Sequence, residues 1–185
     1  MPEGHSGYFM NAVTPADDRY EDFVTRDLVA DAERRLGPIS RGQRAIVGVS
    51  RGGFAALVLG IKHPDEYGFV GALSPPVDAA ERGFRLQRWE QYWSFRRIFG
   101  SSESATRRAD NPFVIVQGVD ASRMPFLYLG VGDSEPLRAP VERFDRALKR
   151  AGVQHDFAEE LGGHNWGEWG LQLPGLFAAM QSHLR

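Results

Sequence analysis

The run Gly48-Val49-Ser50-Arg51-Gly52-Gly53 fits the pattern Gly-x-Ser-x-Gly, and it lies between an apolar stretch, Ala45–Val49, and an alanine-rich one over 54–59. No other stretch restricts the fold as much. A short buried parallel strand that feeds directly into a packed helix must turn within one or two residues, so the flanking positions need little or no side chain. Gly48 and Gly52 are read as meeting that need. Such a turn lifts the Ser50 hydroxyl above the carboxyl end of a sheet, where a serine nucleophile is presented. The plain alternative is a glycine turn carrying a surface serine, and the strand and helix on either side argue against it.

A serine of this kind needs a base, and the base needs an acid to orient it. In this arrangement the chain order is Ser, acid, His, each just after a strand. Phe69–Leu73 and 125–131 read as the next two apolar strands, and Gly132-Asp133-Ser134-Glu135 ends the second of them. Asp133 is read as the acid, with Glu135, two residues on, as the alternative. Of the five histidines, His5, His63, His155 and His183 have structural or solvated readings. His164 instead follows the strand-like segment 155–159 within Gly162-Gly163-His164-Asn165-Trp166, where a bending loop can bring a base over Ser50. Trp166 and Trp169 could wall that imidazole from water or simply fill a core.

Leu73-Ser74-Pro75, the turn Gly130-Val131-Gly132-Asp133 and the closing run Gly163-His164-Asn165-Trp166-Gly167-Glu168-Trp169 resemble the esterase D type of esterases among the α/β-hydrolases. That family includes S-formylglutathione hydrolases, feruloyl and enterochelin esterases and mycolyltransferases, and the resemblance covers most of the chain. It implies an α/β-hydrolase fold and cleavage of carboxylic esters or thioesters through an acyl-enzyme, with Ser50, Asp133 and His164 as the triad. It further implies that the backbone N–H of Arg51 is one oxyanion donor, that the partner is a small-molecule ester, and that no cofactor or metal takes part. Two departures stand out. The residue after the nucleophile is commonly Met and is Arg51 here, and Glu135-Pro136-Leu137 is closer to the enterochelin esterases, which keeps Glu135 open as the acid. An acyltransferase would use the same three residues with an alcohol in place of water. A non-catalytic interaction module that keeps the turn for its fold is the other class.

In a complete fold of this type several strands precede the nucleophile, but only 49 residues precede Ser50. The segment 20–36 already reads as a helix, with Phe23, Val24, Leu28, Ala32 and Leu36 on one face, Asp17 or Asp18 as N-cap and Gly37-Pro38 as the stop. The expectation is therefore a single domain over 1–185 holding the C-terminal portion of the fold, about four parallel strands with flanking helices and no N-terminal strands. The early loop that normally gives a second oxyanion donor has no evident place. The strand before Ser50 would become a sheet edge, and Ala45–Val49 is too apolar for a protected one. A covering segment or a second copy of the chain, giving a homo-oligomer, is expected there.

Residues 76–124 read as an insertion over the site, in which Trp89, Tyr92, Trp93, Phe95 and Phe99 repeat at helical spacing and could form a lid or pack on the sheet. A 42% hydrophobic and 25% charged composition suits a packed domain, and a net charge of −2 gives no basic surface for nucleic acid. Arg96-Arg97 and Arg107-Arg108 read as solvated faces. No apolar run approaches the roughly 20 residues that span a bilayer, and Met1-Pro2-Glu3 opens no signal peptide, so a cytoplasmic location is the default. Zero cysteines exclude disulfides and a thiol nucleophile. The histidines have no metal-ligand spacing, and Gly48–Gly53 lacks the Lys-Ser/Thr ending of a phosphate loop.

Overall fold

The structure, a computed structural model, describes residues 7–84 and 89–184. Four parallel strands form one sheet in sequential order: β1 (Ala45–Val49), β2 (Phe69–Leu73), β3 (Phe126–Gly132) and β4 (His155–Glu160). Helix α3 (Arg51–Lys62) crosses from β1 to β2, and α7 (Arg138–Ala151) from β3 to β4. The β2 to β3 crossover carries α4 (Trp89–Phe99), α5 (Ala105–Ala109) and α6 (Pro112–Ile115), and α8 (Trp166–His183) closes the chain. This is the α/β architecture expected from the sequence. His5 lies outside the described residues.

Alternation along the strands assigns each residue a face. Val70 and Ala72 of β2 and Leu127, Leu129 and Val131 of β3 pack with Leu57 and Ile61 of α3 and with Val141, Phe144 and Leu148 of α7. Their neighbours Phe69, Leu73 and Tyr128 face the other way, onto Trp169 and Leu176 of α8. Every residue of β2 is buried, as befits an interior parallel strand. The outer side of α3 has a third core: Phe54, Val58 and Leu59 pack on Tyr8, Met10, Phe95 and Phe99.

The first helical passage begins with α1 (Tyr20–Asp22), widens into a π-turn over Phe23–Asp27 and continues as α2 (Leu28–Leu36). Gly37, with φ 89°, ends it as expected. Neither Asp17 nor Asp18 caps it, because the N-cap position falls on Arg19, which bridges Asn11. Asn11 Oδ1 instead accepts the Asp22 N–H at 3.3 Å. The aromatic helix forms as α4, and it divides: Phe95 and Phe99 are buried while Trp89 and Trp93 are half exposed. Arg107 corrects the reading of a solvated pair. It is 7% exposed, and its guanidinium donates to the carbonyls of Ala80, Gly100 and Ser101, stitching the insertion together.

The edge expected at β1 is present, since among the described residues β1 pairs with β2 alone. Val47 at its centre is 38% exposed. Among the described residues no helix is long and apolar enough to cross a membrane.

Candidate active site

β1 ends at Val49 and α3 begins at Arg51, so Ser50 makes the turn alone. Its φ of 53° and ψ of −118° lie outside the usual regions for a side-chain-bearing residue, at a cost on the order of 1–3 kcal/mol that surrounding structure must offset. Two backbone bonds hold it there. Ser50 N–H donates to the Leu73 carbonyl at 2.8 Å, and the Ser50 carbonyl accepts from Phe54 N–H at 3.0 Å. A Cβ on Gly48 would sit 2.1 Å from the Gly52 carbonyl, and one on Gly53 would sit 3.0 Å from the Leu73 oxygen. At Gly52 it would meet nothing within 4 Å. The small-residue requirement read at Gly48 and Gly52 therefore falls on Gly48 and Gly53, because Gly53 is the one turned toward the sheet.

Ser50 Oγ and His164 Nε2 lie 2.9 Å apart, and His164 Nδ1 lies 2.8 Å from Glu135 Oε2. An imidazole that donates its Nδ1–H to the carboxylate leaves Nε2 free to accept the serine proton. The second glutamate oxygen is also engaged, accepting the Ser74 hydroxyl at 2.5 Å and the Gly132 N–H at 2.8 Å. Ser74 in turn accepts the Trp169 indole N–H at 2.9 Å. The Glu135 side chain is fully buried, whereas that of His164 is 33% exposed. The trio thus has a buried acid at one end and a solvent-reachable hydroxyl at the other.

Asp133 is not part of this chain. Its carboxylate accepts the Gly162 N–H at 3.0 Å and the Ser134 hydroxyl at 2.8 Å, and these bonds, the Gly162 one foremost, hold its pKa below the ordinary value. The turn after β3 folds back, with Glu135 N–H donating to the Gly132 carbonyl, so that the third residue after the strand turns inward. A Cβ at Gly132 would lie 2.3 Å from the Gly162 oxygen, and the bare glycine lets the histidine loop close on that turn. Asp133 secures this closure from the outside.

Asn165 caps α8, accepting from the N–H groups of Gly167 and Glu168 at 3.0 and 3.2 Å. The cap fixes where the loop ends and hence where His164 stands. Trp169 meets the imidazole edge to face at 4.8 Å, while Trp166 is 72% exposed and touches Trp169 at 5.0 Å. One tryptophan therefore walls the imidazole and the other braces it. His63, His155 and His183 have structural partners: Glu21, Asp145 with the Val153 carbonyl, and the Phe126 ring.

Ser50 and His164 open into a cavity of about 810 Å³ lined also by Tyr8, Arg51, Pro76, Asp78, Arg82, Tyr92, Phe95, Leu137 and Arg143. Much of this wall belongs to the 76–124 insertion. Tyr8 and Phe9 both have left-handed φ values, 54° and 56°, and the Tyr8 ring packs on Phe54 at 5.4 Å. No sequence motif points to a role for Tyr8. Ser74 carried only the resemblance, and its sole positional sign was that it closes the strand next to the one that presents Ser50. Among the described residues no group of three or more His, Cys, Asp and Glu is placed to hold a metal ion.

A family model described as "Putative esterase" matches residues 6–180. The diacylglycerol acyltransferase/mycolyltransferase Ag85B of Mycobacterium avium is 26% identical over 90% of this chain and 57% of its own length. An acetyl esterase of Caldicellulosiruptor saccharolyticus is 23% identical over 97% of this chain and 70% of its own. Among solved structures, MPT51 of Mycobacterium tuberculosis superposes with a TM-score of 0.83 at 18% identity, covering 98% of this chain and 75% of that one. An S-formylglutathione hydrolase from Agrobacterium tumefaciens gives 0.79 at 18% identity, covering 97% of this chain and 64% of that one. These likenesses share the α/β-hydrolase fold. The chain spans a little over half the length of the mycolyltransferase that it matches.

Proposed function

The chain belongs to the Putative esterase family, and on that premise we propose that it is a serine hydrolase of carboxylic esters in which Ser50 is the nucleophile, His164 the general base and Glu135 the orienting acid. The observation that carries the reading is the unbroken series Ser50 Oγ, His164 Nε2, His164 Nδ1, Glu135 Oε2, with separations of 2.9 and 2.8 Å. His164 takes the proton of Ser50 as the oxygen attacks the ester carbonyl, then returns it to the departing alcohol. Water repeats the exchange and frees the acid. Glu135, held by Ser74 and Gly132, keeps the Nδ1 proton in place and stabilises the imidazolium that forms.

The tetrahedral oxyanion needs donors fixed in advance. Arg51 is the first residue of α3, and the opening N–H groups of a helix have no partner within it. Its backbone N–H is therefore one donor. The second is assigned to the backbone beside Tyr8, which lines the cavity with Ser50 and holds the left-handed geometry that collects at functional loops. An alcohol acceptor in place of water would make the same site an acyltransferase, and the mycolyltransferase relative favours including that arm in the test.

The experiment is hydrolysis of p-nitrophenyl acetate by the protein and by Ser50→Ala, with a fluorophosphonate probe applied to both and the adduct located by mass spectrometry. Hydrolysis abolished by the substitution and an adduct on Ser50 are expected. Hydrolysis that survives in Ser50→Ala, or an adduct elsewhere, overturns the assignment. Added glycerol that diverts product from acetate to acetyl ester would mark the transferase form.

A further inference from the structure

The cavity beside Ser50 has three arginines in its wall: Arg51, Arg82 and Arg143. Two of them are neutralised by acids that line the same cavity. Arg82 holds Asp78 through two bonds, Nε at 3.1 Å and Nη2 at 2.8 Å, and Arg143 meets Glu81 at 2.5 Å. Arg51 has no carboxylate partner among the described residues, although it is exposed and adjoins the nucleophile. Apart from Ser50 and His164, the remaining polar side chains of the wall, Tyr8, Gln91 and Tyr92, are uncharged, and Pro76, Phe95 and Leu137 supply apolar surface. After the two ion pairs cancel, one positive charge is left over, and it stands next to Ser50.

Burial pushes the Tyr8 hydroxyl upward in pKa, against the pull of Arg82 and Arg51. Tyr8 therefore stays protonated near neutrality and can donate to the same anion that Arg51 would attract. A guanidinium matches a carboxylate with two parallel N–H donors, a geometry that an uncharged group of similar length cannot supply. The rest of the cavity, lined by prolines and aromatics, suits a short carbon skeleton between the ester and that charge.

We propose that this cavity takes esters that bear a second, ionised carboxylate, and that the Arg51 side chain binds that carboxylate and sets the preference for anionic over neutral substrates. The inference rests on the reading of Ser50 as nucleophile. It gives Arg51 two separable parts: the backbone N–H faces the oxyanion, and the side chain reads the substrate.

The test compares kcat/KM for matched pairs. p-Nitrophenyl hydrogen succinate against p-nitrophenyl butyrate places the charge on the acyl side, and 4-acetoxybenzoate against 4-carbamoylphenyl acetate places it on the leaving alcohol. In one of the pairs the anionic ester is expected to be preferred. Arg51→Met should lower that anionic-to-neutral ratio about tenfold, as loss of a partly solvated charge-assisted pair predicts, and Arg51→Lys should fall between. Raising the salt concentration should compress the ratio in the parent and leave it flat in Arg51→Met. A ratio that is the same in the parent and in Arg51→Met, for both pairs, overturns the proposal while leaving the nucleophile assignment intact. If no ester is turned over, the nucleophile reading fails on its own, and calorimetric titration of Ser50→Ala with monomethyl succinate and with methyl butyrate decides the carboxylate site. Tighter binding of the succinate ester that disappears in Ser50→Ala/Arg51→Met supports it; equal or absent binding of both overturns it.

Discussion

Asp133 and Glu135 are two residues apart on one turn, yet they take different partners, His164 for Glu135 and the Gly162 N–H for Asp133, and their substitutions should separate cleanly. Glu135 reaches His164 at 2.8 Å from full burial, so Glu135→Gln should lower kcat on the order of a thousandfold or more by favouring the wrong imidazole tautomer. Asp133→Asn should change kcat by less than tenfold, read on the same ester. Its effect belongs to stability. Bonds from Gly162 N–H and the Ser134 hydroxyl depress the Asp133 pKa in the folded protein below its ordinary 3.8, so the unfolded chain binds the proton more tightly. The stabilisation is then fully present above the unfolded value and is lost as pH falls through the folded one. Urea titrations of the parent and Asp133→Asn should show a constant gap above about pH 5 that closes below about pH 4. Ser74→Ala removes one of the two donors to Glu135 Oε1 and leaves the Trp169 indole without its acceptor. It should lower kcat roughly tenfold to a hundredfold at nearly constant KM, because Glu135 loses one of the bonds that hold it against His164. At this scale the sequence was only partly legible. Ser50 and His164 could be read because each lies beside glycines in a run with a strand on one side. The choice between Asp133 and Glu135 could not, because it depends on how sharply the turn after Gly132 folds back, and both residues suit such a turn.

Elements were more legible than their contacts. The sequence ranges for β1 and β2 coincide with the observed strands, those for β3 and β4 shift at the ends, and the helix after Ser50 begins three residues before the apolar run that announced it. Burial on both faces writes itself into a parallel strand as an unbroken apolar run, which is why β2 could be read without its partners. Features that depend on remote chain were hidden: Asn11 meeting the Asp22 N–H, or Arg107 spanning four carbonyls of the insertion. The strand-to-helix junction shows the same divide. Both Gly48 and Gly52 belong to the motif, but only Gly48 is enclosed by backbone, with 2.1 Å to the Gly52 carbonyl, against open space at Gly52. Backbone cannot retreat as a flexible side chain can, so Gly48→Ala should prevent stable folding or force the turn apart, seen as loss of a cooperative thermal transition. Gly52→Ala, inside α3, should keep that transition and raise its midpoint, since alanine loses less conformational freedom in a helix by up to about 1 kcal/mol.

The sheet as a whole is asymmetric at its two edges. β4 ends the sheet with His155, Asp156, Glu159 and Glu160 along six residues, the charged composition with which natural edges resist further pairing. β1 ends the other side with Ala45, Ile46, Val47, Gly48 and Val49, none of them charged. Helix α8 lies over β2 and β3, so the face of β1 that carries Val47 is left 38% exposed at that residue. Among the described residues, one side of this sheet is therefore closed by charge and the other is open, with apolar side chains and unpaired strand backbone together. Water can satisfy that backbone, but a second strand would do so while also burying Val47 and its neighbours. Self-association through β1 is the expected consequence, and it should grow with protein concentration. Val47→Lys puts a charge on the exposed position without filling a packed site, the device by which natural edges are protected. Sedimentation velocity over a concentration series should show the parent shifting to larger species and Val47→Lys remaining at the mass of one chain. A lysine at an exposed position of the far edge, Asp156→Lys, should leave the parent's shift in place, because β4 is already guarded. If the two variants behave alike, association proceeds through some other surface.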